Sequence, residues 1–313
     1  MHIIQQSYRV LPMDTLELGT LESVELAGRT AYKSEDRITS GSAVRFVDAI
    51  LKRGHESVIE HYPLVFKTPN VRGVVLDQVR EIMEETIGLH YTVQSGWCYI
   101  SMNARTLRDA KRRVDNQLTR RLLHCAYLRD PALFRDLPSM ESVSDTVMPS
   151  EKEIMSLMVP AEAAKHVYRM VRFITDRGVS HELVRHRLCA ITQESTRYCN
   201  YVNGGVTFIK PVFWGLSDST AYLYEDWHIA MKIAEKHYLD LVRLGASPQE
   251  ARSVLPNSLK TEIVVTANLR EWRHIMTLRS TKAAHPQMRD LMLSLLGEFK
   301  AQAPDIFAGV EVD

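Results

Sequence analysis

The sequence predicts an α+β chain with a helix-rich C-terminal third, on three observations. Apolar residues recur at helical spacing near the N-terminus and throughout the last hundred residues. Two short runs, YPLVF between His61 and Lys67 and HVYRMVRFIT from His166 to Thr175, read as strands instead. No repeat of 20 to 50 residues interrupts this pattern, so a solenoid is excluded.

The elements follow in chain order. Leu16, Leu18, Leu21, Val24 and Leu26 predict a helix between Thr15 and Tyr32, and Val44, Val47, Ile50 and Leu51 a second from Ala43 to Leu51, stopped by Gly54. The strands at 62–66 and 166–175 are expected to pair with each other. Between them, Arg105 to Arg121 carries seven Arg or Lys against Asp109 and Asp115. This run is expected to be a solvated helix face, or alternatively a contact surface for a polyanion or a neighbouring subunit. The C-terminal helices are predicted at Ala221 to Leu244, Pro248 to Val254, Asn268 to Arg279, and from Pro286 onward. In the last, Met288, Leu291, Met292, Leu295, Leu296 and Phe299 make a core-facing stripe. Asn103-Ala-Arg105-Thr-Leu-Arg108 echoes Asn268-Leu-Arg270-Glu-Trp-Arg273.

Length and composition suit a globular chain: 313 residues, 45% hydrophobic and 25% charged. The formal charge of +1 gives the whole chain no electrostatic footprint of a nucleic-acid or membrane-surface binder. MHIIQQSYRV lacks the pattern of a secretory signal and no segment is long enough to span a bilayer, so a cytoplasmic location is expected. Cys98, Cys125, Cys189 and Cys199 form no C-x-x-C pair, so reduced thiols and no metal site are expected.

The chemistry is expected in HELVRHRLCAITQESTRYCNYVN, from His181 to Asn203. Apolar flanks around Arg185-His186-Arg187 predict a basic group drawn inward, where unpaired charge is costly and calls for an anion. The bland alternative is an internal salt-bridge network with Glu182 and Glu194. Ser195 and Arg197 add a hydroxyl and a guanidinium suited to phosphate. In the helix NLREWRHIMTLR, Arg279 falls near the apolar face and needs an acidic partner or ligand, unless it snorkels at the helix end. His55 and His61 are six apart, a poor zinc spacing, so at least one is expected to be packed or hydrogen-bonded. G-x-G-x-x-G, the P-loop and G-x-S-x-G are all absent.

Arg185-His186-Arg187, seven residues, then Ser195 resembles the R-H-R-x7-S signature of the flavin-dependent thymidylate synthases. The likeness extends to Arg197-Tyr198, to GHESVIEH from Gly54 to His61, to ARSVLP from Ala251 to Pro256, and to NLREWRHIMTLR. It covers about two thirds of the chain, and the stretch of about 69–166 reads as an insertion relative to compact members. The resemblance implies one catalytic domain over 1–313, with a mixed β-sheet flanked by helices and assembly as a homotetramer with shared active sites. It implies methylation of dUMP to dTMP, with 5,10-methylenetetrahydrofolate and NADPH as co-substrates and bound FAD. His55, Arg185, His186, Arg187, Asn268, Arg270 and His274 would lie at the flavin. Glu182, Gln193, Ser195, Arg197, Arg252 and Arg279 would lie at dUMP, with Arg279 and Ser195 as the catalytic candidates and Ser195 a binding hydroxyl rather than a nucleophile. Competing readings are a nucleic-acid binder working through Arg105 to Arg121, and a flavoprotein that oxidises NADPH without methylating anything.

Overall fold

A computed structural model describes residues 1–11, 20–70, 73–137, 145–197, 199–202, 204–215 and 219–312. Among these, nine strands are formed: β1 (His2–Ile4), β2 (Ser7–Val10), β3 (Pro63–Pro69), β4 (His90–Gln94), β5 (Trp97–Asn103), β6 (Tyr168–Asp176), β7 (Ala190–Gln193), β8 (Thr207–Ile209) and β9 (Lys260–Asn268). The principal sheet has the order β2-β6-β9-β7 and is antiparallel throughout, and a second antiparallel sheet has the order β3-β5-β4. The parallel pairing is confined to β1 and β8, which adjoin the principal sheet through a bridge between Phe208 and Leu259. The α+β class therefore holds, with the mixed character restricted to one corner.

The expected pairing of the YPLVF strand with 166–175 does not occur. β6 has both edges occupied, by β9 from Tyr168↔Asn268 to Asp176↔Lys260 and by β2 from Ser7↔Ile174 to Val10↔Val171. β3 pairs with β5 instead.

Alternation along β6 and β9 gives the principal sheet two different faces. Val171, Phe173, Ile263, Val265 and Ala267 pack under the helices Leu269–Arg279 and Pro286–Gln302, where the predicted stripe from Met288 to Phe299 is buried. Trp272 is fully buried there and donates its indole N–H to the Arg169 carbonyl at 3.0 Å. Burying each such large side chain contributes about 1.5–3 kcal/mol. The other face carries Met170 and Val264 against Ala27 of the helix Leu21–Tyr32, alongside a buried ionic group described below. Of the predicted helix at Thr15 to Tyr32, residues 12–19 lie outside the described set, and Thr20 caps the part that is described.

The stretch 69–166 does not stand apart from its surroundings. Ile100, Leu107, Leu122 and Phe134 share one core with Val24, Val47, Ile59 and Phe66. Its basic run is solvated in part, with Arg112 and Arg113 exposed, and in part paired within the fold. Arg108 is 1% exposed and grips Asp136 at 2.7 and 2.6 Å and Glu56 at 3.3 Å; Arg112 reaches Glu56 at 2.7 Å, and Arg105 reaches Glu60 at 2.6 Å. These partners come from elsewhere in the chain, so part of the local positive charge is balanced within the fold. The Asn103/Asn268 echo also has a structural reason. Each asparagine ends a strand and caps the helix that follows, accepting from the Thr106 N–H at 2.8 Å and the Glu271 N–H at 2.9 Å.

Two histidines set a pH response. His61 is wholly buried between the hydroxyls of Thr266 (2.8 Å) and Thr192 (3.0 Å), and burial lowers it to about 3. His166 lies between Ser101 and Thr92, and burial, with help from His90 and Lys165, lowers it to about 4. Both folded values lie below the unfolded value of about 6.5, so the unfolded chain takes up protons first as the pH falls. Stability is expected to be level above about pH 7.5 and to decline from pH 6.5 toward 4, by up to about 1.4 kcal/mol per pH unit for each group. Thermal melts across that range check this, and a His61→Gln variant should show a shallower decline.

Candidate functional site

The site is assembled from two strand-to-helix turns. At the end of β6 the Asp176 carboxylate accepts the Val179 N–H at 2.7 Å and starts the short helix Arg177–Leu183. The chain then turns through 184–189 into the edge strand β7. In this turn His186 is buried, as is Leu183 just before it, while Arg185 and Arg187 are exposed and form no ion pair among the described residues. This corrects the inward placement expected for the whole basic group. The apolar neighbours did not draw the guanidinium groups in, because Val184 and Leu188 are themselves 43% and 50% exposed. The alternative salt-bridge network with Glu182 and Glu194 does not form around them either.

The second turn is the Asn268 cap between β9 and the helix Leu269–Arg279. Eleven residues carry this helix about 16 Å back across the sheet, which brings Arg279 to the last turn of helix Arg177–Leu183. There Arg279 Nη1 meets Glu182 Oε2 at 2.6 Å, its Nε donates to His186 Nε2 at 3.2 Å, and its Nη2 leans on the Glu182 carbonyl at 3.4 Å. The acidic partner that the sequence called for is therefore Glu182, 97 residues away.

Because Nε2 of His186 accepts from Arg279, the ring proton sits on Nδ1. Burial, with Arg279 and His274 nearby, lowers His186 to about 4, so the ring is neutral at pH 7. Its 4.0 Å approach to Glu271 is thus a contact of a neutral ring with a carboxyl, and burial raises that carboxyl above its ordinary range. His274 meets His186 edge to face at 6.0 Å. The ligand atoms of His186, Glu271 and His274 lie within 4.8 Å of one another, a spacing a cation could bridge, although the Arg279 guanidinium already on His186 opposes one. Glu271 was missed in the sequence because its place three residues after an N-cap asparagine reads as helix-end chemistry alone.

The remaining expected residues divide by what holds them. Gln193 turns inward, donating to Ser180 at 2.8 Å and Thr261 at 3.1 Å, so it braces helix Arg177–Leu183 against β9. Asn268 is buried as a cap and also donates to the Lys165 carbonyl at 3.2 Å. The Ser195 N–H donates to the Ala31 carbonyl at 3.0 Å, and its hydroxyl makes no hydrogen bond among the described residues. Arg252 Nη1 donates to Thr196 at 2.9 Å, which ties it to the segment holding Ser195 and Arg197. Glu250 accepts the Ser247 N–H at 2.8 Å and so serves the start of the helix Pro248–Ala251. Glu194 is buried on Lys260 at 2.9 Å and makes no ion pair with Arg185 or Arg187 among the described residues. Tyr198 lies outside the described residues.

The expected flavin residues are spread over separate concavities. Arg187 lines a cleft of 540 Å³ whose far wall is Arg105, Asp109 and Arg113 from the 69–166 stretch. His55 lines a cavity of 630 Å³ with Arg37, Arg45 and Arg53. Arg270 and His274, both exposed, line a third of 800 Å³. His61 is the packed histidine of the pair, as expected, and His55 is exposed. Among the described residues no helix is long and apolar enough to cross a membrane.

The model of one protein family, described as thymidylate synthase complementing protein, matches residues 141–305. Similar curated proteins include the flavin-dependent thymidylate synthases of Thermococcus onnurineus, 37% identical over 124 residues, and of Geobacter sulfurreducens, 35% identical over 131. These alignments cover 39% and 42% of this chain and 49% and 55% of those proteins. A third, from Corynebacterium diphtheriae, is 33% identical over 146 residues, covering 43% of this chain and 58% of its own length. The chain thus spans about half the length of the curated relatives it matches. Both turns that build the site, from Asp176 to Ala190 and from Asn268 to Arg279, fall inside the family match.

Proposed function

Since the chain belongs to the thymidylate synthase complementing protein family, we propose that it is a flavin-dependent thymidylate synthase, methylating dUMP to dTMP. In this reading 5,10-methylenetetrahydrofolate supplies the carbon and NADPH reduces a bound FAD. The observation that carries it is the Arg279–Glu182–His186 cluster, which joins the R-H-R-x7-S segment to the last arginine of NLREWRHIMTLR.

Each group then has a task. Glu182 and His186 hold the Arg279 guanidinium in one orientation, so that it meets negative charge developing on the pyrimidine without first reorganising. Ser195, Arg197 and Arg252 bind dUMP, chiefly at its phosphate, while Glu182 and Gln193 set the walls around it. The flavin, when bound, supplies the hydride. The unpaired guanidinium groups of Arg185 and Arg187 fit its phosphates, with His186, Asn268, Arg270 and His274 on the family motifs and His55 near flavin and folate. The buried His186 ring stays neutral and offers a fixed N–H at Nδ1.

The dispersal of these residues over three concavities supports a homotetramer in which copies complete one another's sites. The chain acts as one catalytic unit over 1–313, in the cytoplasm, with about 69–166 as an inserted segment walling the Arg187 cleft. Titrating the purified protein with FAD tests the cofactor assignment. Saturable uptake is expected, with a flavin spectrum that changes on adding dUMP, and His186→Ala should weaken FAD by about tenfold, the equivalent of one hydrogen bond. A folded protein that takes up no flavin contradicts the reading.

A further inference from the structure

Two neighbouring buried polar groups, on Arg177 and Tyr201, have no hydrogen-bond partner among the described residues. Arg177 Nη1 is shielded from solvent and makes no hydrogen bond among the described residues, and the same holds for the Tyr201 hydroxyl. Neither Arg177 nor Arg252 has a carboxylate in ion-pair reach among the described residues, since Glu194 is committed to Lys260 at 2.9 Å. A guanidinium remains charged at any physiological pH, so a shielded and unsatisfied N–H on it is among the most costly groups a fold can retain.

The backbone brings these groups together. The Arg177 N–H donates to the Asn257 carbonyl at 2.9 Å, which sets the start of helix Arg177–Leu183 against the segment just after Arg252. Arg252 in turn reaches across to Thr196, beside Ser195. Tyr201 is fixed by its ring against Tyr238 at 5.5 Å. Burial holds the Arg177 guanidinium below its ordinary range and the charge on Arg252 adds to that, while Tyr201 and Glu194 act in the opposite sense, which sets all four groups near one another.

We infer that Arg177 and Tyr201 are substrate-binding residues that complete, with Arg252, a pocket for a phosphate monoester dianion. The inference rests on the proposed function, and it adds two groups outside every motif that led to that function. The pocket discriminates by charge: a nucleoside monophosphate satisfies the orphaned donors and its nucleoside does not. Arg177 thereby selects the phosphorylated substrate, while Arg279 acts on the base.

The test is calorimetric binding of dUMP and deoxyuridine to the full chain, with inorganic phosphate as a separate probe, for wild type and for Arg177→Met, Arg177→Lys and Tyr201→Phe. The wild type should prefer dUMP strongly. Arg177→Met should lose dUMP affinity by about a hundredfold, the loss of a charge-assisted contact to a desolvated dianion, with deoxyuridine binding unchanged. Arg177→Lys should recover part of that loss, and Tyr201→Phe should lose about tenfold. In turnover, Arg177→Lys should raise KM for dUMP far more than it lowers kcat. If Arg177→Met fails to fold, the Lys and Phe variants carry the test, and unchanged dUMP binding in both overturns the inference. Wild-type preference for dUMP that survives in folded Arg177→Met overturns it while leaving the proposed function standing. Phosphate binding that depends on Arg177 in a protein indifferent to dUMP supports the pocket and overturns the proposed function instead.

Discussion

Replacing Arg279 by alanine is expected to lower dTMP formation by about 10²–10³-fold, the usual range for losing one preorganised donor to a developing negative charge. The guanidinium is held from two sides, by Glu182 at 2.6 Å and by His186 at 3.2 Å, so its position is set before substrate arrives. Alanine removes that group and also leaves Glu182 facing the substrate as an uncompensated carboxylate, which opposes an anionic pyrimidine. Fold should be retained, because the Arg279 side chain is partly exposed and the helix is anchored by Leu269, Trp272, Ile275 and Met276. Arg279→Lys keeps the charge and loses the fork, so an intermediate rate is expected. Single-turnover rates at saturating dUMP, with circular dichroism as the control on folding, check this. A rate within a few fold of wild type in Arg279→Ala removes the residue from the mechanism.

The largest effect on stability is expected at Glu262, which lies 4% exposed at the centre of the ionic group on the inner face of the principal sheet. It accepts from Lys33 and Lys260 and from Arg172 Nε at 2.9 Å, while Glu194 shares Lys260 and Glu35 shares Arg172 at 2.9 Å. Glu262→Ala leaves Lys260 with Glu194 and the partly exposed Lys33 and Arg172 with Glu35 alone, and a loss of about 3 kcal/mol is expected. Burial alone would raise the Glu262 carboxyl, but Lys260, Lys33 and Arg172 outweigh it and hold it at about 2. A folded value below the unfolded one means that this contribution is complete above about pH 4.5 and fades as the pH falls toward 2. Urea unfolding at pH 7 and at pH 3 should therefore show a gap between wild type and variant that narrows in acid. An equal gap at both values would show that the charge on Glu262 is not what stabilises the sheet.

How much of this was legible in the sequence depends on whether a signal is local. The helices Ser42–Lys52, Ala221–Arg243, Leu269–Arg279 and Pro286–Gln302 follow from apolar spacing, because each buries one face along its whole length. The pairing of β3 with β5 was not legible, since strand order depends on which edges remain open after β6 has taken β2 and β9. β4 and β5 were passed over for a related reason: WCYISMN is buried on nearly every residue and so shows no alternation. Charge was the least legible quantity. The run from Arg105 to Arg121 reads as more basic than it is, because Glu56, Glu60 and Asp136 are brought to it from distant parts of the chain. Arg185 and Arg187 look buried by composition and are exposed, whereas Arg279, read as needing a carboxylate, has one in Glu182. The sequence offered no sign of Arg177, whose shielded Nη1 without a hydrogen bond among the described residues is visible only in the fold.

The most direct test of the proposed reaction is dTMP formation, followed by mass spectrometry, from dUMP with 5,10-methylenetetrahydrofolate, NADPH and FAD, each left out in turn. Product that requires all four is the expected result. No product from folded, flavin-loaded protein, or product that persists without flavin, would contradict it.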